Sequence, residues 1–233
     1  MIKIKKDEVV GWEHAIRGMR NPLNSWDRSD SYENYLVDYK KNEIDDITEI
    51  RYPYYRVGAA DISLMYKLSK TGTDHRKFMR MITVYVDVTA PLYWWKEYDT
   101  YKIGTVANSC STMHKIADKE FTLDDFSHEH LFDDEDNMAI FKSSLNRTIA
   151  DLNTARDLYL NTKDKKYWWQ MIQLLPTSYN QKRTLMLNYE VLANIYKSRK
   201  NHKLDEWKVF CKWIEALPYS EIITSEPKGE DNN

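Results

Sequence analysis

Glycine and proline are scarce, six of each in 233 residues. With so few residues that punctuate tight turns, the chain is expected to form long elements and much helix. Two cysteines, Cys110 and Cys211, are too few for a disulfide scaffold and have no metal-ligand spacing, so a reducing compartment, the cytoplasm, is expected. Neither charge sign prevails. Lys and Arg number 34, Asp and Glu 36, and the formal charge of −2 gives no overall electrostatic case for nucleic acid, although it leaves a local basic groove open. No stretch approaches 18 apolar residues, so neither a spanning helix nor a membrane partner is expected. Met1–Asp7 lacks the apolar segment of a secretory signal and reads as a short first strand. Glycine-rich phosphate loops, internal repeats and a second-domain boundary are also missing. The expectation is one domain over residues 1–225 with a polar tail over 226–233.

Aromatic residues are abundant, with 17 Tyr and 8 Trp, many in doublets such as Tyr54-Tyr55, Trp94-Trp95 and Trp168-Trp169. Such rings fill helix interfaces and subunit contacts. The most informative run is residues 82–98. Ile82, Val84, Val86 and Val88 alternate with Thr83, Tyr85, Asp87 and Thr89, the two-residue period of a strand with one apolar face. Pro91 then suits the first position of a helix reaching about Tyr101. Helices are also expected over Trp12–Met19, Tyr32–Tyr39 and 59–71, from Asp136 to about Asn161, and over Tyr167–Leu175. Spacings of three and four predict a long helix carrying Leu185, Asn188, Leu192, Ile195 and Arg199, with Lys182-Arg183 at its start, and a last one carrying Leu204, Trp207, Cys211, Ile214 and Leu217. Asp45-Asp46 and Asp133–Asp136 read as acidic loops rather than metal sites. These elements suggest an α/β domain whose sheet is covered by long helices.

The strand, the Ala90-Pro91 junction and the aromatic helix resemble those that lead into the core motif of flavin-dependent thymidylate synthases, R-H-R-x-x-S-x-N-E-x-S-x-R-Y. Further landmarks fall in the same order: His75 for an upstream histidine, Leu175-Pro176 for a Leu-Pro, Tyr189–Asn194 for a long helix, Arg199 for a C-terminal arginine and Asn201-His202 for the turn after it. Arg80 stands where an acidic residue is usual. The core itself is degenerate. Counted without a gap, R-H-R falls on Thr100, Tyr101 and Lys102, the first serine on Thr105, N-E on Ala107 and Asn108, and the later serine and arginine on Cys110 and Thr112. One inserted residue aligns Asn108 with the asparagine, Ser111 with the serine and Met113 with the arginine. In both registers Lys102 alone keeps a positive charge and no glutamate remains.

The resemblance implies an α+β fold with a central, mostly antiparallel sheet under long helices. It also implies one-carbon transfer and reduction on a pyrimidine nucleotide such as dUMP, with FAD, NADPH and methylenetetrahydrofolate, no metal, and a homotetramer. It assigns Arg199 a catalytic and substrate-binding place. Flavin contacts fall on His75, Arg76, Arg80, Lys102, Thr105 and His202, and nucleotide contacts on Asn108, Ser111, Lys182 and Arg183. Lysine at 102 cannot reproduce the bidentate fork of arginine, and Thr100 offers one hydroxyl without charge. His114 and Lys115 are candidates to replace lost charge. His128 and His130 would need a strand and a third ligand to hold a metal. Cys110 and Cys211 read as small structural residues. The competing reading is a non-catalytic homologue that binds a nucleotide or a protein and has lost flavin chemistry.

Overall fold

The alternation that marks residues 82–89 in the sequence becomes an interior strand in the computed structural model, which describes residues 2–41, 47–132 and 137–225. The acidic loops at Asp45-Asp46 and Asp133–Asp136 and the tail over 226–233 lie outside these residues. In chain order the elements are β1 (Lys3–Val10), α1 (Trp12–Arg20), β2 (Tyr32–Lys41), β3 (Ile47–Arg56), α2 (Ala59–Ser69), β4 (Thr83–Pro91), α3 (Leu92–Tyr98), β5 (Val106–Ser109), α4 (Thr112–Lys115), α5 (Met138–Thr162), α6 (Lys165–Leu174), β6 (Asn180–Asn188), α7 (Tyr189–Arg199), α8 (Asp205–Glu215) and α9 (Glu221–Thr224). Two sheets result: β1-β4-β6-β5 in that order, and the antiparallel pair β2-β3. The architecture is an α/β fold with a mostly antiparallel sheet covered by helices. No described helix is long and apolar enough to cross a membrane.

The chain falls into two compact units. Residues 2–8, 85–186 and 201–213 form the first, and residues 9–84, 187–200 and 214–225 the second. In the first unit, Val86, Val88 and Ala90 of β4 and Leu185 of β6 are buried, at 0–1% exposure, while Asp87, Thr89, Lys182 and Thr184 are at least partly exposed. One sheet face is therefore apolar and covered, the other polar. A second cluster, including Phe121, Phe126, Leu145, Leu152, Ala155 and Met171, joins α5 and α6 to the segment before them.

The second unit centres on Ile16, Met19, Met65, Phe78, Leu192 and Ile195. Asp30 caps α2 by accepting from the Ala60 and Asp61 N–H groups at 2.9 and 3.2 Å. Gly58 is required beside it, because a Cβ there would lie 2.2 Å from the Asp30 carboxylate.

Several expectations need correction. Tyr32–Tyr39 is strand, not helix. Its aromatic and β-branched residues pair with Ile47–Arg56, where Tyr52, Tyr54 and Tyr55 supply the matching strand, and Pro53 is tolerated in a two-stranded ribbon. Residues 185–188 are also strand. Leu185 and Leu187 are both wholly buried and alternate with partly exposed neighbours, so the helix starts only at Tyr189, capped by Asn188 accepting from the Val191 N–H at 3.0 Å. Pro91 ends β4 with ψ 152° instead of opening the helix, which runs from Leu92 to Tyr98, short of Tyr101. The leading N–H groups of Leu92 and Tyr93 donate to Tyr179 O and Thr177 O, each at 3.0 Å, so the helix needs no side-chain cap.

Candidate functional site

Helix α3 turns Trp94 and Trp95 into the first unit and leaves the chain after Tyr98 to fold back. Trp95 donates its indole N–H to Gln181 O at 2.9 Å, and Tyr98 stacks on Trp94 with ring centroids 5.3 Å apart. Beyond it the Tyr101 N–H donates to Tyr98 O at 2.9 Å. Gly104 takes φ +75°, and the Thr105 hydroxyl donates to Tyr101 O at 2.6 Å before β5 joins β6. A left-handed residue at 104 is what lets the loop reverse so tightly.

This reversal encloses an open hollow of about 340 Å³ lined by Tyr98, Asp99, Tyr101, Lys102, Thr105 and Ala107. Its wall is thus the segment on which the sequence resemblance places a degenerate core motif. Tyr98 is 2% exposed, and its hydroxyl and the neighbouring Trp94 indole nitrogen are buried with no hydrogen-bond partner. A buried phenol without a partner costs free energy that a ligand acceptor would recover. Burial pushes the Tyr98 phenol well above its ordinary pKa, so it stays a neutral donor. The hollow therefore offers the Lys102 ammonium and the Tyr98 phenol as donors, while the Thr105 hydroxyl, its proton given to Tyr101 O, has only its lone pairs left to accept. Sequence reasoning missed Tyr98. Its signal was a polar-tipped aromatic one helical turn after Trp94, on a face that is otherwise apolar.

Arg183 is held beside this wall. Its guanidinium donates to Asp99 Oδ1 at 2.7 Å and to Gln181 Oε1 at 3.0 Å, and lies 4.2 Å from the Trp95 ring centroid. Lys182 pairs with Asp87 at 2.9 Å. Lys182 and Arg183 lie in β6, not at a helix start, so the expected help from a helix N-terminus does not exist. Asn108 pairs opposite Thr184 and is exposed. Ser111 caps α4, accepting from the His114 N–H at 3.1 Å. His114 is exposed, and Lys115 pairs with Asp118 at 2.8 Å. Cys110 is exposed, not the small core residue expected, because it follows an edge strand; Cys211 is buried on α8. His202 accepts the Leu204 N–H on Nδ1 at 3.2 Å and sets Nε2 3.4 Å from Glu97 Oε2, which also accepts from the Trp207 indole at 2.8 Å.

The remaining candidates belong to the second unit. His75 and Arg80 are exposed in the 3₁₀ segment His75–Met81. Arg76 is tied to Glu190 at 3.1 Å, with side chains 11% and 9% exposed, so its charge balances a buried carboxylate. Arg199 is half-buried in the last turn of α7. His128 and His130 lie on no strand. Their ring nitrogens contact Phe126 O at 2.9 Å and Asp205 at 3.0 Å, and no group of three metal-ligating side chains exists among the described residues.

No family model and no curated protein matches the chain. Solved structures do. Thymidylate synthase X from Helicobacter pylori, crystallised with FAD and dUMP, superposes with a TM-score of 0.64 at 14% identity, over 95% of this chain and 96% of that one. A second structure of the flavin-dependent thymidylate synthase of Helicobacter pylori, also with FAD and dUMP, gives 0.64 at 16% identity, over 97% and 100%. The UMP/dUMP methylase PolB from Streptomyces cacaoi, bound with 5-Br dUMP, gives 0.62 at 14% identity, over 97% and 96%. At such identities the likeness is one of fold, and over nearly its whole length this chain has the fold of flavin-dependent thymidylate synthases.

Proposed function

We propose that the protein is a thymidylate synthase-like pyrimidine-nucleotide binder over residues 1–225, in which dUMP is held and its methylation is weak or absent. The observation that carries this reading is the hollow walled by the degenerate motif, with an unpartnered Tyr98 phenol beside Lys102 and Thr105. One ammonium and one free phenol proton fit a single phosphate, and the Thr105 oxygen can accept from the N–H of a pyrimidine edge. They fit the diphosphate of FAD poorly. Lys102 is the cation in the lining, while the guanidinium forks of Arg183 and Arg76 are engaged by Asp99 and Glu190. No flavin step is therefore assigned to these residues, and NADPH and methylenetetrahydrofolate have no role unless flavin is held. His75, Arg80, His202 and Arg199 keep only the flavin and nucleotide roles that the family resemblance implies. The free thiols of Cys110 and Cys211 suit the cytoplasm.

Titration calorimetry with dUMP tests the reading. Wild type is expected to bind, and Lys102→Ala to bind about tenfold more weakly. No binding by wild type, or equal binding by wild type and Lys102→Ala, rejects it.

We also propose a homotetramer. The β2–β3 ribbon exposes Tyr35, Leu36 and Tyr39 at 48%, 62% and 64%, more apolar surface than a free ribbon usually leaves in water. Light scattering at micromolar concentration is expected to give four times 27.9 kDa. A single 27.9 kDa species would remove the assembly from the proposal.

A further inference from the structure

A second hollow lies in the first unit, apart in composition from the motif-walled one. It measures about 180 Å³ and is lined by Lys3, Lys5, Lys6, Asp87, Thr89 and Lys182. These residues come from three neighbouring strands, β1, β4 and β6, so the polar sheet face forms its floor. Four ammonium groups face one carboxylate, an excess of three positive charges.

Asp87 is already satisfied: Lys182 Nζ stands 2.9 Å from Oδ2, and the Thr184 hydroxyl donates to Oδ1 at 2.7 Å. Those two hydrogen bonds hold its carboxyl below the usual range, with Lys6 adding to the effect, so Asp87 stays ionised and takes up one charge only. Lys182 holds the close ion pair with Asp87, and of the three β1 lysines Lys6 reaches that carboxylate only as an additional charge.

Their convergence is not what a regular strand gives. Lys3 and Lys5 share a face, and by alternation Lys6 belongs to the opposite one. Lys6 instead adopts φ +54°, a left-handed conformation that side chains bearing a Cβ disfavour, and it lines the same hollow. A strained backbone inside a strand that gathers like charges points to a function for the charges.

We propose that this hollow is a binding site for a diphosphate group, formed by Lys3, Lys5, Lys6 and Lys182 on the floor of Asp87 and Thr89. A phosphate monoester, with about −1.5 to −2 charge at pH 7, leaves part of the excess uncompensated, whereas a diphosphate matches it. Lysines act here as point charges and need no fixed fork, which suits a flexible chain of two phosphates. The site is exposed, so its affinity falls with ionic strength. It stands whether or not the motif-walled hollow binds dUMP.

Calorimetry on the full chain at low and high salt tests it, with inorganic pyrophosphate, inorganic phosphate and UDP as probes. Pyrophosphate is expected to bind more tightly than phosphate. Equal binding by UDP shows that the site reads the diphosphate of a nucleotide, and binding of pyrophosphate alone that it takes the free anion. The triple replacement Lys3→Ala, Lys5→Ala, Lys6→Ala is expected to weaken pyrophosphate at least about tenfold. Lys6→Gly separates charge from folding: glycine accepts the left-handed backbone, so the melting temperature is expected to hold or rise by about 2–4 °C while pyrophosphate binding weakens. Lys102→Ala is expected to leave pyrophosphate binding intact. The proposal is overturned if wild type binds no pyrophosphate, if phosphate binds as well, if the triple or Lys6→Gly variant binds like wild type, or if Lys102→Ala abolishes binding.

Discussion

Replacing Arg20 with methionine is expected to destabilise the protein by about 3–5 kcal/mol. Arg20 Nε lies 2.6 Å from Asp61 Oδ1, and the two side chains are 5% and 0% exposed. Asp61 Oδ2 accepts from the Ser29 and Ser31 hydroxyls at 2.6 Å each, and Arg20 Nη1 donates to Ser25 O at 3.1 Å. One ion pair thus ties α1 and α2 to the turn between α1 and β2. Without the guanidinium, a buried carboxylate keeps two neutral donors and no counter-charge, which is the costly half of breaking a buried pair. Thermal unfolding is expected to shift down by roughly 6–20 °C for a chain of this size. The double replacement Arg20→Met, Asp61→Leu removes both charges and is expected to recover much of the loss. A single variant that melts within a degree or two of wild type would show that the pair contributes little.

Formation of dTMP from dUMP, methylenetetrahydrofolate, NADPH and FAD is expected to fall at least about 100-fold below that of an enzyme with an intact core motif. Thr100 stands where the motif has arginine and Lys102 where it has the second one, so two bidentate clamps are absent. At about 1.5–3 kcal/mol per charge-assisted contact, loss of the one at Thr100 together with weakening of the one at Lys102, which keeps its charge, is worth roughly 3 kcal/mol, or about 10² in rate if expressed in the transition state. Contacts remote from the reacting carbon hold it in line, so turnover falls along with affinity. The assay follows NADPH oxidation and dTMP together, and the visible spectrum of the purified protein reports bound flavin. Robust dTMP production would reject the proposed loss of activity. Bound flavin without dTMP would redirect the search to other uridine or cytidine nucleotides.

The sequence exposed those parts of the fold whose period has a single interpretation. Val84, Val86 and Val88 fit only a strand, and Phe141, Leu145, Leu152 and Tyr159 mark a helix that the structure extends over Met138–Thr162. Leu185 belongs both to an alternation with Leu187 and to the three-and-four series with Asn188, Leu192 and Ile195, and no glycine or proline separates strand from helix at Asn188. The one local mark of that boundary is Asn188 as an N-cap residue, which the helical series absorbed as one of its own members. The β2–β3 ribbon was hidden for another reason: its strands are specified by each other, Tyr35 opposite Pro53 and Leu36 opposite Tyr52. At the candidate site, the landmark order located Lys102 and Thr105. It did not foresee that Arg183 is engaged by Asp99, 84 residues earlier in the chain, or that Tyr98 is left without a partner.

The place of β4 in the sheet has a consequence for how the chain comes to be folded. Its neighbours are β1, made first, and β6, which follows only after α5 and α6. At about 5–20 residues per second of synthesis, the apolar row Val84-Val86-Val88 waits roughly 5–20 s for its second partner. During that interval one edge of a strand rich in β-branched residues has no native partner, and loop closure over so long a separation is slow. The nascent chain is therefore most vulnerable to misassociation between the completion of β4 and the arrival of Asn180–Asn188.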